Sequence, residues 1–462
     1  MRLSNLRLVA ISTTAIAMVA ACTQQSVESA DRGQDDVAAP MMEQAELVRG
    51  SAATTAADGS ETLGFAFSYF WFSVHETPQD CPDGYAMALR DVAIMHLPKA
   101  QQTHLLKAEN RSTYYKMGYA LSAKRMKEQN GASICNIPDS YDDPEHRVVQ
   151  SNVSYGRDLD GVNSAGDDDT SCGTNDFVSP DGISGVDNEL YRVMGCIDSF
   201  RRDAEFAGGA MEDYHVGSYR DGETTTLMQI SGVDDRMNDD DVTVGVYSSS
   251  DATPFDSQKK GIGFASLSVT ENTLWHNEVK GKIVNGELIT EPFDLRLKFG
   301  WSGRPAEYNI KDSRIHLTLK EDGTAEGDLA GFFKTIDAYR HNFHNERGAL
   351  EVANGFTCPA VWDSLQKYSD GHKDPETGKC TTISTAMTIQ AVPAFLIQPP
   401  AEKLTKYVLD TTDYYGVNLE EIAVEGAEVR PLKGAGRPDD YKSERELAEE
   451  AKAKAQKESA EQ

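Results

Sequence analysis

Alternating apolar and polar residues in the middle of the chain predict a series of short β-strands. Between Phe293 and Phe299 every second residue is apolar and the residues between are charged, as expected for a strand with one buried and one wet face. The pair Asn285-Gly286 favours a tight type I′ turn between two further strands. Strand-like runs recur at 224–231, 242–248, 261–270, 279–290, 315–319, 325–333 and 382–397. Short strands joined by polar turns predict an antiparallel β-sandwich or a barrel-like core.

Helical spacing interrupts this β pattern at several places. Apolar residues three and four positions apart predict helices at 87–95, 105–127, 190–200 and 359–368. We place Asp187 as the N-cap of the third of these helices. An aromatic run at 64–74 predicts a strand, whose rings fit core packing better than a ligand-stacking face. The expected fold class is therefore mainly β with helical insertions, an α+β fold.

Composition divides the chain into five stretches. Residues 1–21 have a charged start and an apolar stretch, and residues 22–60 are polar without a periodic pattern, as expected of a flexible tether. A mixed strand and helix region at 61–210 precedes an antiparallel β-rich region at 211–400. Residues 401–462 form a polar extension that ends in Ala, Glu and Lys, which predicts a solvated helix or a disordered tail.

The first residues carry the strongest signal about the compartment. A positively charged start leads into an apolar stretch at 8–19, which suits a signal sequence but is shorter than the roughly 20 residues of a membrane span. The segment Val19-Ala20-Ala21-Cys22 resembles the bacterial lipobox, in which a hydrophobic residue and two small residues precede an invariant cysteine. The resemblance implies that residues 1–21 are a lipoprotein signal peptide and that Cys22 is lipidated after cleavage.

The lipobox resemblance also implies a location and a kind of partner. Fatty chains on Cys22 would hold the mature chain at a membrane, and Thr23, where Asp would direct inner-membrane retention, implies the outer membrane. The expected partners are the membrane, through the lipid anchor, and an envelope protein or an extracellular ligand. The alternative is an ordinary secretory peptide with a free thiol at Cys22.

Phrases in the rest of the chain resemble secreted proteobacterial proteins that have no assigned role. These phrases are DLDG at 158–161, GVDNELYRVMGC at 185–196, DDDVTVGVYSS at 239–249 and ISTAMTIQAVPAF at 383–395. The resemblance implies no activity and no functional residues.

The net charge narrows the possible partners. The chain has 74 acidic residues against 45 Lys and Arg, a formal net charge of −29 at pH 7. Such a chain repels nucleic acid and attracts cations. We therefore expect no nucleic-acid partner.

Six cysteines remain besides Cys22, and an even number in an oxidising compartment predicts three disulfides. Roughly 15 connectivities are possible for six cysteines, and pairing sequence neighbours is the simplest. The expected bonds are Cys81–Cys135, Cys172–Cys196 and Cys358–Cys380.

The best candidate site is an acidic loop at 157–189. Nine acidic residues and no Lys or Arg lie between Asp158 and Glu189. Carboxylates at this density repel one another, and a hard cation with six to eight oxygen ligands relieves the repulsion. The start of the loop resembles extracellular calcium loops but does not match an EF-hand, and the alternative is a solvated loop without an ion. The expected calcium ligands are Asp158, Asp160, Asp167, Asp168 and Asp169.

Other clusters are weaker candidates. Acidic residues at 234–241 and at 370–376 fit polar turns better than calcium sites. His341 and His344 could serve zinc, but ordinary hydrogen-bonding histidines fit the spacing better. The motifs for covalent haem, dinucleotides and nucleotide phosphates are missing, so neither haem nor flavin nor nucleotide is expected.

These features favour a non-enzymatic binding or scaffolding lipoprotein, stabilised by disulfides and by calcium. The missing nucleophile motifs lower the expectation of an enzyme without removing it. Two alternatives remain: a tethered hydrolase that acts on a polymer with paired carboxylates, and an accessory subunit of an exported redox or uptake complex.

Overall fold

A computed structural model describes residues 52–432, apart from 58, 167–171, 205–207, 223, 302–303 and 345–348. Several predicted features lie outside the described residues: the signal peptide, Cys22, most of the tether, the end of the C-terminal extension, and Asp167, Asp168 and Asp169.

Most of the described chain is β-structure. The strands are β1 (Ala53–Thr55), β2 (Glu61–Phe72), β3 (Phe177–Val178), β4 (Ser184–Val186), β5 (Thr225–Val233), β6 (Asn238–Ser249), β7 (Ala265–Ser268), β8 (His276–Val284), β9 (Glu287–Thr290), β10 (Phe293–Trp301), β11 (Arg304–Leu319), β12 (Ala325–Lys334), β13 (Gly371–Lys373), β14 (Cys380–Ile397), β15 (Tyr407–Asp410) and β16 (Glu428–Pro431).

Eight antiparallel strands close into a β-barrel. The order around the wall is β2, β5, β6, β8, β9, β11, β12 and β14, and pairing of β14 with β2 closes the ring. β10 continues the line of β9, because both pair with β11. The mainly β prediction with helical insertions is confirmed, and of the two expected core types the chain adopts the barrel.

The local sequence explains why these segments form the strands and turns of the barrel wall. Leu295, Leu297 and Phe299 of β10 are buried, whereas the charged residues between them are exposed or half-buried. The β8–β9 hairpin turns at Asn285 and Gly286, whose φ angles of 53° and 80° are those of a type I′ turn. The alternation and the hairpin predicted from the sequence are therefore present.

Helices gather at one end of the barrel and along its side. They are α1 (Leu89–Ile94), α2 (Lys99–Leu105), α3 (Arg111–Glu128), α4 (Glu189–Met194), α5 (Ala210–Arg220), α6 (Thr335–Asn342), α7 (Ala349–Ala353), α8 (Cys358–Lys367), α9 (Thr412–Tyr415) and α10 (Leu419–Ile422). Single 3-10 turns lie at Ala108–Asn110, Ile134–Asn136, Pro138–Ser140, Thr273–Trp275 and Ala401–Lys403. None of the helices in the described part of the chain combines the length and the apolar character needed to cross a bilayer.

The predicted N-cap of α4 is wrong. The helix begins at Glu189, its N-cap is Asn188, and no side chain caps it. Asp187 instead accepts a hydrogen bond from the backbone N–H of Leu159 at 2.6 Å. The Asp187 carboxylate therefore binds a backbone group that is distant in sequence, and it does not cap the helix as the local pattern predicted.

Aromatic rings fill the helical end of the barrel. His215 of α5 stacks on Phe299 with ring centroids 4.8 Å apart, and His341 of α6 stacks on Tyr308 at 4.6 Å. Burial lowers the pKa of His215 to about 3, although its bond to the Phe70 carbonyl raises it slightly. The barrel interior at this end is therefore a packed core, and the aromatic run of β2 belongs to it.

Three disulfides tie the helical segments to the barrel and to one another. The bonds are Cys81–Cys196, Cys135–Cys358 and Cys172–Cys380, with sequence separations of 115, 223 and 208 residues. The prediction that all six cysteines pair is confirmed. The expected pairing of sequence neighbours is wrong, because the fold brings together segments that lie more than 100 residues apart in the chain.

Two short strands lie beside the place where β2 and β14 pair: β1 pairs with β2, and β7 pairs with β14. β1 lies beside β2 at Glu61–Leu63, on the edge that β14 leaves after Pro393. The last four residues of β14 pair instead with β7, in parallel. This small β7–β14 ribbon covers the outward-facing side chains Ala66, Leu227 and Tyr247.

Candidate metal centre in the acidic loop

Three carboxylates of the acidic loop converge on one point. One oxygen each from Asp158, Asp160 and Asp187 lies within 4.8 Å of the other two. Asp158 and Asp160 are exposed, whereas Asp187 is only 4% exposed. The site therefore has a buried floor and an open mouth.

Backbone amides hold each carboxylate through a single oxygen. Asp158 Oδ1 accepts from Gly161 N at 2.6 Å, Asp160 Oδ1 from Val162 N at 2.8 Å, and Asp187 Oδ2 from Leu159 N at 2.6 Å. The second oxygen of each carboxylate accepts no hydrogen bond from the described residues. No Lys or Arg of the described chain forms an ion pair with any of the three. The buried Asp187 thus keeps an oxygen that no donor among the described residues reaches, as a cation ligand would require.

The barrel wall positions the loop. Arg157 Nη2 donates to Asp328 of β12 at 2.7 Å, and Arg314 of β11 donates to the Leu159 carbonyl at 2.9 Å. Leu159 itself is buried against side chains of β12 and β14. The strands beneath therefore determine where Asp158 and Asp160 lie.

Gly185 allows β4 to pass close under the loop. A Cβ on Gly185 would lie 3.3 Å from the Val162 carbonyl oxygen and 3.5 Å from Asp158 Oδ2. Its φ of +79° is also a conformation that favours glycine. This close passage brings the Val162 carbonyl and the Asp158 carboxylate to the same side of β4.

Electrostatics at the floor of the site favour a bound cation. Burial raises the pKa of Asp187 to about 8, and repulsion from Asp160, Asp176 and Asp158 adds to this, against the lowering effect of the Leu159 N–H. A divalent ion would offset the repulsion and replace the proton.

More buried acids lie behind the floor. Asp370 accepts hydrogen bonds from Ser384 N at 2.7 Å and from Ser384 Oγ at 2.5 Å. Burial, with repulsion from Glu189, raises the pKa of Asp370 well above its usual range. Glu189 is buried as well and pairs with Arg192. Asp370 is therefore a structural acid under β14, whereas Asp374 of the same predicted turn caps that turn through backbone amides.

The structure changes the predicted ligand set. Asp158 and Asp160 come together as predicted, whereas Asp167, Asp168 and Asp169 lie outside the described residues. Asp187 is the candidate ligand that sequence analysis did not select. It belongs to the same acidic stretch, but 27 residues separate it from Asp160, and no loop motif spans that distance.

The second acidic cluster forms a turn between β5 and β6. Asp239 accepts backbone N–H bonds from Asp234 and Asp241, which lowers its pKa. Asp241 pairs with Lys280 at 2.6 Å. Backbone amides therefore bind the carboxylates of Asp235 and Asp239, and a lysine binds that of Asp241.

The two histidines of the possible zinc pair have different surroundings. His341 packs among Phe299, Tyr308 and Phe333 in the barrel, whereas His344 contacts the rings of Tyr414 and Tyr415. Neither belongs to a metal-ligand group among the described residues. A group of Cys135, Glu351 and Cys358 does form, but its cysteines are joined in a disulfide.

Comparison with protein-family models, with curated proteins and with solved structures finds no match for this chain.

Proposed function

We propose that this chain is an exported lipoprotein, anchored through Cys22 in the outer membrane, that binds or scaffolds an envelope partner without catalysing a reaction. The observation that carries the proposal is the set of three long-range disulfides, which ties segments from both halves of the chain together. Such bonds persist in oxidising compartments and are rare in the cytosol. The lipobox-like segment adds the anchor.

We further propose that calcium binds at Asp158, Asp160 and Asp187 and has a structural role. The supporting observation is the buried Asp187, with an oxygen that no described donor reaches, beside two exposed carboxylates. A bound ion would join the start of the loop to the segment between β4 and α4. Because this joins distant segments, calcium should stabilise the folded chain.

The anchor is tested by mass spectrometry of the N-terminal peptide of the protein expressed in a bacterium with two membranes. A diacylglyceryl thioether and an acyl amide on Cys22 are expected, with the protein in the outer-membrane fraction. The variant Cys22→Ser should be released into the soluble fraction. An unmodified Cys22 thiol in a chain cleaved elsewhere would refute the anchor.

Calcium is tested by thermal unfolding in chelator and in millimolar calcium at constant ionic strength. At a concentration 100 times the dissociation constant, a single site stabilises by about 2.7 kcal/mol, so the melting temperature should rise by several degrees. The double variant D158N/D160N should lose this rise. The matched control D234N/D240N removes the same charge from the other acidic turn and should keep it. Equal rises in both variants would refute the site.

A second candidate function has its own supporting observation. A carboxyl with a raised pKa beside exposed carboxylates is also the arrangement of a general acid and its partner in glycoside hydrolysis. A tethered hydrolase would cleave a polysaccharide in chelator, and Asp187→Asn would abolish that activity. Turnover that persists without calcium and disappears in D187N would favour the hydrolase.

A further inference from the structure

A short loop beside the β2–β14 seam exposes two large apolar side chains next to two lysines. Residues 259–264 have the sequence Lys-Lys-Gly-Ile-Gly-Phe and are called here the KKGIGF loop. Ile262 is 47% exposed and Phe264 is 49% exposed. Lys259 and Lys260 are exposed, and neither forms an ion pair with a described residue.

Contacts with the barrel wall hold the loop in place, and in this position its side chains are exposed. A Cβ on Gly261 would lie 2.6 Å from Ser68 Cβ, and one on Gly263 would lie 3.0 Å from Pro393 Cγ. The two glycines therefore face the barrel wall, and the intervening Ile262 and the following Phe264 project outward. Ile262 N also donates to the Pro254 carbonyl at 2.8 Å.

The backbone of the loop adopts a conformation that costs free energy. Phe264 has a φ of +65°, which is unfavourable for a bulky residue, and its N–H donates to the Pro393 carbonyl. Asp256 holds the preceding turn by accepting from the N–H groups of Gln258 and Lys260. Strain of this kind persists where the surroundings enforce it, and it concentrates at functional surfaces.

The loop lies close to the point where the N-terminal segment enters the barrel. The Ala52 carbonyl accepts from Gly64 N, and the next residue of β2, Phe65, pairs with Pro393, which in turn bonds to Phe264. A random coil of 29 residues, the number between Cys22 and Ala52, spans about 30 Å, so the proposed anchor at Cys22 would hold a membrane within reach of this face.

We infer that the KKGIGF loop inserts Ile262 and Phe264 into the headgroup region of the bilayer, while Lys259 and Lys260 contact anionic headgroups. The inference rests on the proposed lipid anchor. The two exposed lysines complement the anionic headgroups of a bilayer, whereas most of this acidic chain would be repelled by them. The lipid anchor raises the local concentration of the membrane, so a weak second contact suffices to orient the barrel.

The inference is tested with the lipidated full-length chain in vesicles of phosphatidylethanolamine and phosphatidylglycerol whose acyl chains are brominated. Fluorescence of the variant Phe264→Trp is measured after subtraction of the wild-type signal, which accounts for the four native tryptophans. We expect at least about twofold quenching by the brominated lipid, together with a blue shift. K259S/K260S on the same background should reduce the quenching in these vesicles and leave it unchanged in vesicles without phosphatidylglycerol.

The matched control is Ile183→Trp. Ile183 is 66% exposed in the turn between β3 and β4, near the opposite end of β14, and should not be quenched. Equal quenching of the two variants, or none in F264W, would overturn the inference. Shielding of F264W from an aqueous quencher in native envelopes but not in vesicles would assign the loop to a partner protein instead.

The mass of the Cys22 peptide distinguishes failure of the proposed anchor from failure of the loop inference. If that mass shows no lipid, the proposed anchor fails, and the loop is tested by co-sedimentation of the unlipidated full-length chain with the same vesicles. In that arm, I262S/F264S should bind about tenfold more weakly than the parent chain, because two apolar side chains are lost. Equal binding of the two would overturn the loop inference on its own.

Discussion

At the scale of single residues, burial decides which acids are unusual. Glu351 of α7 is 1% exposed, and its carboxylate accepts a hydrogen bond from Cys358 N at 2.8 Å. Burial raises the pKa of Glu351 to about 7, although this amide and the charge of Arg125 oppose the rise. Its sequence context gives no hint of this, since an acid in a short helix is ordinarily exposed.

The raised pKa predicts a pH dependence of stability. The folded state keeps a proton on Glu351 that the unfolded state loses near pH 4.5, so the free energy of unfolding should fall as the pH rises from about 4.5 to about 7. Glu351→Gln should remove this fall in the free energy of unfolding, because a glutamine side chain does not titrate. Its amide oxygen can still accept the hydrogen bond from Cys358 N. Its stability relative to wild type should rise across that window by about 3 kcal/mol, measured by urea unfolding at each pH. E402Q, at an exposed site, is the control and should follow wild type, and a constant offset for E351Q would contradict the prediction.

At the scale of elements, disulfides connect segments that the hydrogen bonds of the β-sheet do not join. Cys135 lies in a 3-10 turn before the acidic loop, and Cys358 is the first residue of α8, which packs against that turn and against α6. The bond therefore fixes the helical layer as a unit. The acidic loop depends in the same way on Cys172–Cys380, which ties its later part to the first residue of β14.

The double variant C135S/C358S should lower the free energy of unfolding by about 3–5 kcal/mol, because it opens a long covalent loop in the unfolded chain. Urea unfolding measures the loss. The control is the reduced wild type, which loses all three bonds and should be less stable than the variant. Peptide mapping without reductant should link Cys135 to Cys358, and a peptide that links Cys81 to Cys135 would contradict the fold.

At the scale of the whole molecule, excess negative charge opposes the compact state. A net charge of −29 on one chain produces self-repulsion that dissolved salt screens. The proposed calcium site and the proposed membrane contact of the KKGIGF loop both depend on this excess of negative charge. One would gather carboxylates around a cation, and the other would offer positive charge on one face.

Raising sodium chloride from 10 mM to 500 mM should therefore stabilise the protein, with a rise in melting temperature of about 1 °C for each kcal/mol gained in a chain of this length. Calorimetry measures this rise. D158N/D160N, with less charge, should show a slightly smaller response to salt and no response to calcium at fixed ionic strength. A melting temperature that falls with salt would show that attractive ion pairs outweigh the repulsion.

The sequence alone determined the features that depend on near neighbours. Alternation in β10, the Asn285-Gly286 turn and the buried run of β2 follow from local side-chain patterns, because the period of a strand and the φ preference of a turn are local properties. The number of disulfides also followed, from the six cysteines that remain besides Cys22.

Only the tertiary structure decided the features that join distant segments. Three such features depend on how the barrel closes through β2 and β14. They are the disulfide pairing, the position of Asp187 beside Asp158 and Asp160, and the exposure of the KKGIGF loop. The physical reason is that the fold brings residues from 115 to 328 positions apart into contact, and no pattern of neighbouring side chains encodes which of them meet.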